Sequence, residues 1–298
     1  MPQSKLYGVV VPVITPVDNE DRVDEPSFRK MIRHLSQSGV HGLFVGGSAG
    51  EGPLLPMREW TRMVEIAIDE NKNALPLLAG AIDTSTQRVK EKIKVLAAAG
   101  YHYFVVTPTY YIPLKTADEH LRLFGECAEA ADGMEMIAYN IPASTGSTIP
   151  VEVIGEMTRR KWIKYCKESS GDLAYFKKVI SENAHLGLNV FMGDEVSIAE
   201  GLRSGACGIV PVCANYDPAT FIHAYQAGAS GDQDELMKAQ DRIIYLKKNL
   251  VMAGPNWIAG LKYAVSLKGI GSGKPVSPLQ PLSDVEKQKV ERFHSERH

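Results

Sequence analysis

The sequence predicts an α/β fold, a (β/α)8 barrel with additional C-terminal helices. Three observations carry that reading: eight short apolar runs, amphipathic stretches between them, and a spacing of roughly 20 to 35 residues per strand–helix unit. The runs lie at 8–14, 41–45, 75–79, 103–107, 134–140, 162–167, 188–192 and 207–212. Several are nearly continuous, as Val9, Val10 and Val11 in the first and Phe104, Val105 and Val106 in the fourth. Parallel strands buried on both faces read this way. Between the runs, 59–71 sets Trp60, Met63, Val64 and Ala67 on one helical face, and 87–99 does so with Val89, Ile93, Val95 and Leu96. Gly100, after three alanines, is a glycine stop ahead of the fourth strand. An open doubly wound sheet shares the alternation, but its phosphate-binding glycine loop follows the first strand. Here the first strand runs into Thr15-Pro16-Val17 and the glycine loop follows the second, which favours the TIM barrel.

Beyond the eighth unit, 232–252 and 283–294 are predicted as further helices, with the Gly/Pro-rich stretch 269–281 as an ordered loop between them. The expected organisation is a barrel over 1–228 and a helical extension over 229–298 packed upon it.

Composition bounds the function classes. The chain has 298 residues, 44% apolar and 23% charged, with a net charge of −2, so disordered and fibrous classes are excluded. It lacks the basic excess of a nucleic-acid binder. No apolar run approaches the roughly 20 residues that span a membrane. Pro12 and Pro16 interrupt the apolar stretch 7–17, and no small-residue cleavage site follows it, so no signal peptide is expected. Cys127, Cys166, Cys207 and Cys213 form no C-x-x-C pair, which fits a reducing compartment better than a disulfide framework or a zinc site. A cytoplasmic protein without nucleic-acid or membrane partners is expected.

Active sites of such barrels lie at the C-terminal ends of the strands. Four segments there carry chemistry. Gly46-Gly47-Ser48-Ala49-Gly50-Glu51 reads either as a tight turn or as a loop whose amides cradle an anion, with the Ser48 hydroxyl added. Thr107-Pro108-Thr109-Tyr110-Tyr111-Ile112-Pro113 reads as loop packing or a subunit contact. In Tyr139-Asn140-Ile141-Pro142-Ala143-Ser144-Thr145-Gly146, the tyrosine ending a buried strand is either a core residue or a proton carrier. In the fourth segment, Ile163, Tyr165 and Lys167 are expected on one strand face, with Lys164 and Cys166 on the other. A lysine at the end of a buried strand is either solvated or desolvated; desolvation favours the neutral amine that a Schiff-base nucleophile needs. The eight histidines are scattered without metal-ligand spacing, and His34 and His120 are expected at the surface of helices. No G-x-S-x-G elbow occurs, so a hydrolase has no anchor.

Together the four segments resemble the dihydrodipicolinate synthase/N-acetylneuraminate lyase family of class I pyruvate aldolases. The likeness spans G-[ST]-x-G-E, T-P-x-Y-Y, Y-N-x-P-x-x-T-G and K-[ED]-x-[ST]-G-[DN] in order, and continues through Gly193-Asp194 and Ala214-Asn215. The resemblance implies Lys167 as the Schiff-base lysine and Tyr139 as the phenol that moves protons. It implies Ser48 as a hydroxyl of the carboxylate loop and relay partner, and Tyr110 as the tyrosine that completes a neighbouring subunit's site. It further implies substrate contacts at Gly47, Ala49, Gly50, Ser144, Asp194 and Val210, with neither metal nor diffusible cofactor. A homotetramer, a dimer of dimers, is expected with it.

Two positions depart from the family pattern. Ala49 replaces a frequent threonine and removes one side-chain donor. Ser144 stands where true dihydrodipicolinate synthases have an arginine that grips the aldehyde's carboxylate. Losing such a bidentate contact costs roughly 2–4 kcal/mol, which disfavours the lysine-biosynthetic synthase. The expected activity is cleavage or formation of a C–C bond between pyruvate and an aldehyde, through a 2-keto-3-deoxy sugar acid or related hydroxy-2-keto acid. Asp194-Glu195 is a candidate for binding its hydroxyls or a helix-capping pair. A dehydratase on the same scaffold, 4-hydroxy-tetrahydrodipicolinate synthase, and a 2-keto-acid-binding sensor are the alternatives.

Overall fold

The computed structural model describes residues 5–296. Eight strands, β1 (Gly8–Pro12), β2 (Gly42–Val45), β3 (Leu77–Gly80), β4 (Tyr103–Val106), β5 (Glu135–Asn140), β6 (Ile163–Glu168), β7 (Asn189–Met192) and β8 (Gly208–Ile209), pair in parallel in chain order. The ring closes where Gly8 and Val9 of β1 meet Gly208 and Ile209 of β8. The fold is therefore the predicted (β/α)8 barrel, followed by additional helices.

The apolar runs are explained by burial on both faces. Val10, Phe44, Leu78, Val105, Ile137 and Phe191 fill the interior, while their neighbours Val9, Val11, Leu43, Val45, Phe104 and Val106 pack under the helices. Each fully buried side chain of this kind contributes about 1.5–3 kcal/mol, so the interior is a packed core and chemistry is left to the rim. Helix ends follow local chemistry. Ser85 caps Thr86–Ala99, Gly100 ends it at φ 84°, and Thr116 with Glu119 forms a capping box on Ala117–Glu129.

β8 is shorter than the run at 207–212. Val210 N still donates to Met192 O at 2.9 Å, but Pro211 has no amide to continue the ladder. The β5–β6 register also shifts: Met136 pairs with Ile163 and Ile137 with Tyr165, leaving Lys164 as the extra residue. Ile163 therefore packs in the outer layer instead of sharing a face with Tyr165 and Lys167. His120 is buried rather than at the surface, with Nε2 3.1 Å from Ser147 Oγ.

The expected extra helices are Gln233–Leu250 and Asp284–Ser295, and a third, Trp257–Ser266, lies between them. Gly254 and Pro255 break the pattern just before this helix. Gly260 inside it is required by close packing, because a Cβ would overlap the Leu250 carbonyl. Gln240 fastens the first helix to the rim: its amide donates to Glu195 O at 2.9 Å and accepts from Ala199 N at 2.8 Å. Within 269–281, Val276 N donates to Glu51 Oε1 at 2.7 Å. No helix among the described residues is long and apolar enough to cross a membrane.

Candidate active site

A cleft of about 380 Å³ opens at the C-terminal ends of the strands, with Ser48, Ala49, Tyr139, Ser144, Lys167, Asp194 and Val210 on its walls. An adjoining lobe of about 250 Å³ shares Ser48 and Ser144 with it and adds Tyr110 and Thr107. Eight of the ten site residues expected from sequence thus border these two adjoining lobes. The other two, Gly47 and Gly50, shape the loop instead. A Cβ on Gly47 would press into the Phe44 ring at 2.7 Å, and one on Gly50 would meet Val13 O at 2.8 Å.

Lys167 is buried, and its ammonium lies 4.0 Å from the centre of the Tyr139 ring and 5.1 Å from that of Phe44. Among the described residues, no carboxylate forms an ion pair with it. Cys166 faces the other way, fully buried in the outer layer. The two strand ends are clamped just beyond Tyr139 and Lys167. Asn140 Nδ2 donates to Glu168 Oε1 at 3.1 Å, Ser170 N donates to the same oxygen at 2.7 Å, and Asn140 Oδ1 accepts from Ile149 N. Burial pushes the Glu168 carboxyl above its ordinary range, against these hydrogen bonds.

The 46–51 loop is tied to its surroundings by buried contacts. Gly50 O accepts from Thr15 Oγ1 at 2.7 Å, and Glu51 adopts φ 53° with its side chain buried. Glu51 Oε2 accepts from Lys262 Nζ at 2.6 Å in an ion pair whose side chains are at most 2% exposed. Burial drives the Lys262 ammonium down from its usual range, and Glu51 opposes that shift. Asn215 staples β1 to the turn after β8 by accepting from Ile14 N and donating to Pro12 O.

Ser48 and Tyr139 share the larger lobe, and Ser48 and Tyr110 the smaller, with no direct hydrogen bond among these three side chains. Burial raises the Tyr110 phenol, with a further push from Asp83. Asp194 and Glu195 are not exposed carboxylates. Asp194 accepts from Val196 N and Ser197 Oγ, and Glu195 is buried against Cys213 N at 2.8 Å. Among the described residues, no three His, Cys, Asp or Glu side chains are grouped to hold a metal ion.

The profile of the dihydrodipicolinate synthetase family matches residues 5–296. The chain belongs to this family. Members of the dihydrodipicolinate synthetase family are class I pyruvate-dependent lyases. The 4-hydroxy-tetrahydrodipicolinate synthase of Methanothermobacter thermautotrophicus is 32% identical over 83% of this chain and 87% of its own. N-acetylneuraminate lyase 2 of Escherichia coli is 28% identical over 99% of this chain and 96% of its own. The crystal structure of CdNal from Clostridium difficile in complex with mannosamine superposes with a TM-score of 0.92 at 21% identity, covering 99% and 100% of the two chains. Similarity to relatives of different activities supports an aldolase-type lyase and leaves the second substrate open.

In this dihydrodipicolinate synthetase-family barrel, sequence reasoning missed several residues of the cleft. Lys247 and Trp257 reach it from the C-terminal helices. The hydroxyls of Thr107 and Ser169 are buried beside it without a hydrogen-bond partner among the described residues. Both lie inside motifs already singled out, so their positions were available even though their exposure to the cleft was not.

Proposed function

We propose that this chain is a Schiff-base lyase that cleaves or forms the bond between pyruvate and a hydroxylated aldehyde. Its joined substrate is a 2-keto-3-deoxy sugar acid or a related hydroxy-2-keto acid. The observation that carries this reading is the buried Lys167 Nζ against the Tyr139 ring, without a carboxylate partner among the described residues, in a cleft that also contains Ser48 and Ala49.

The amine of Lys167 attacks the ketone of the keto acid, and water leaves to give an iminium. Tyr139 then takes the proton of the hydroxyl at C4. The C3–C4 bond breaks, its electron pair enters the iminium as an enamine, and the aldehyde departs. Protonation of the enamine and hydrolysis return pyruvate and the free lysine. Ser48 and Tyr110 relay the proton. The loop of Gly47, Ala49 and Gly50 holds the carboxylate through backbone amides. Ser144 and Asp194 meet the aldehyde half, and Val210 supplies apolar wall. This route uses neither metal nor diffusible cofactor.

The reading includes a cytoplasmic homotetramer, a dimer of dimers. Beside Tyr110, Tyr111 is 90% and Ile112 76% exposed, and a two-fold contact would bury this patch twice. It also treats 1–228 as the barrel and 229–298 as an extension that braces the carboxylate loop through Lys262. A panel of keto acids tests the activity, with pyruvate release and total substrate loss followed together. Cleavage yields pyruvate in step with substrate loss. Loss without pyruvate marks a dehydratase, and neither marks a sensor.

A further inference from the structure

The loop that carries Tyr110 runs from the end of β4 to the helix Ala117–Glu129, and its backbone is strained. Tyr111, the next residue, adopts φ 76°, a left-handed conformation that a bulky side chain disfavours. Such a backbone persists only where its surroundings hold it. One hold is the capping box, since Lys115 N and Thr116 N both donate to Glu119. Another comes from the loop after β5, which carries Ser144. Ser147 Oγ donates to Leu114 O at 2.9 Å, and Pro113 packs against Gly146, where a Cβ would meet Pro113 Cγ at 2.8 Å.

His120 completes this tie. A serine hydroxyl has one proton, and Ser147 gives it to Leu114 O. The 3.1 Å contact between His120 Nε2 and Ser147 Oγ therefore requires Nε2 to be the donor. That tautomer leaves Nδ1 a bare acceptor, and Nδ1 is buried without a hydrogen-bond partner among the described residues. Leaving a buried polar atom unpaired is unfavourable, so the imidazole needs a reason to be here. The Nε2 donor to Ser147 is that reason. Burial lowers the imidazole from its ordinary range, opposed by Glu119, and so favours the neutral ring that this tautomer requires.

We propose that His120 and Ser147 are positioning residues for proton transfer, holding the strained Tyr110 loop against the Ser144 loop so that the Tyr110 phenol stays in the relay. This inference rests on the Schiff-base reading above. Lys167 and Tyr139 are placed by β5 and β6, outside the tie, so imine formation should not depend on it. Proton movement should.

The test uses pyruvate alone. On the protein, the imine gives up a C3 proton to form the enamine, takes a deuteron from D2O, and is hydrolysed to labelled pyruvate. Borohydride trapping reads the imine, and proton NMR reads exchange at C3. His120→Leu should lower the kcat of exchange by about 10–100-fold, the effect of a slightly misplaced reacting group. The KM for pyruvate and the extent of trapping should stay within about twofold of wild type. His120→Gln keeps an amide donor and should restore exchange to within about threefold of wild type. Ser147→Ala should lose at least as much as His120→Leu, and the double variant no more than Ser147→Ala, because both act through one link. Thermal unfolding checks each variant, and Ser147→Ala decides the matter if His120→Leu does not fold. Four results overturn the positioning role and leave the Schiff base standing: unchanged exchange in the single variants, effects that multiply in the double variant, trapping that falls in step with exchange, or no rescue by His120→Gln. Wild-type trapping without exchange also overturns it. Absence of both in the wild type overturns both readings.

Discussion

Tyr139 and Lys167 are direct cross-strand partners in the β5–β6 register, and the lysine ammonium lies 4.0 Å from the centre of the tyrosine ring. Each is the penultimate residue of its strand, and the last residues, Asn140 and Glu168, are joined by a hydrogen bond. The amine and the phenol are thus fixed to each other by backbone pairing rather than by mobile loops.

Tyr139→Phe keeps the ring against Lys167 and Phe44 and removes only the hydroxyl. Turnover should fall by about 10²–10⁴-fold, the range of general acid–base catalysis. Stability should change by less than about 1 kcal/mol. Steady-state kinetics and thermal unfolding check the pair of outcomes; a large stability loss would place the phenol in the core's architecture instead.

Lys262→Met leaves the buried Glu51 carboxylate without its partner. The expected loss is about 3–5 kcal/mol, read as a lower urea midpoint. Adding Glu51→Gln should recover part of it, because the stranded charge is then gone.

Glu195 gives a pH signature. Burial raises its carboxyl, while Cys213 N and Lys247 pull it back down. As pH rises, the unfolded chain releases this proton first. The stability Glu195 contributes is therefore full below its ordinary value of 4.5 and is lost as pH climbs through the raised folded value. Glu195→Gln cannot ionise. Wild-type stability relative to this variant should decline as pH rises above about 4.5 in urea titrations. A constant difference would contradict the burial argument.

Mixing Tyr110→Phe subunits with Lys167→Arg subunits tests the expected assembly. If Tyr110 serves the neighbouring site, hybrids contain one site with both defects and one with neither, so activity partly returns. No recovery despite demonstrated subunit exchange means that Tyr110 serves its own chain.

The barrel was legible because its strands are buried on both sides, as runs such as Val9–Val10–Val11 signal, and because the glycine loop follows the second strand rather than the first. The residues of the rim were legible because they sit where those runs turn polar. Contacts between distant parts of the chain were not. Glu51 and Lys262 are separated by 211 residues, and nothing local to either marks a partner. Lys247 lies in an amphipathic helix, where a lysine reads as a solvated charge. The helix Trp257–Ser266 was hidden by Gly260, whose close approach to the Leu250 carbonyl is a tertiary requirement. Ile163 was misplaced because strand periodicity carries no sign of a one-residue register shift.

Borohydride reduction in the presence of pyruvate tests the central claim most directly. The wild-type protein should lose activity and carry one reduced pyruvyl adduct, mapped by peptide mass spectrometry to Lys167. Lys167→Arg should carry none. An adduct on another lysine, or pyruvate-releasing turnover that survives Lys167→Arg, would contradict the account.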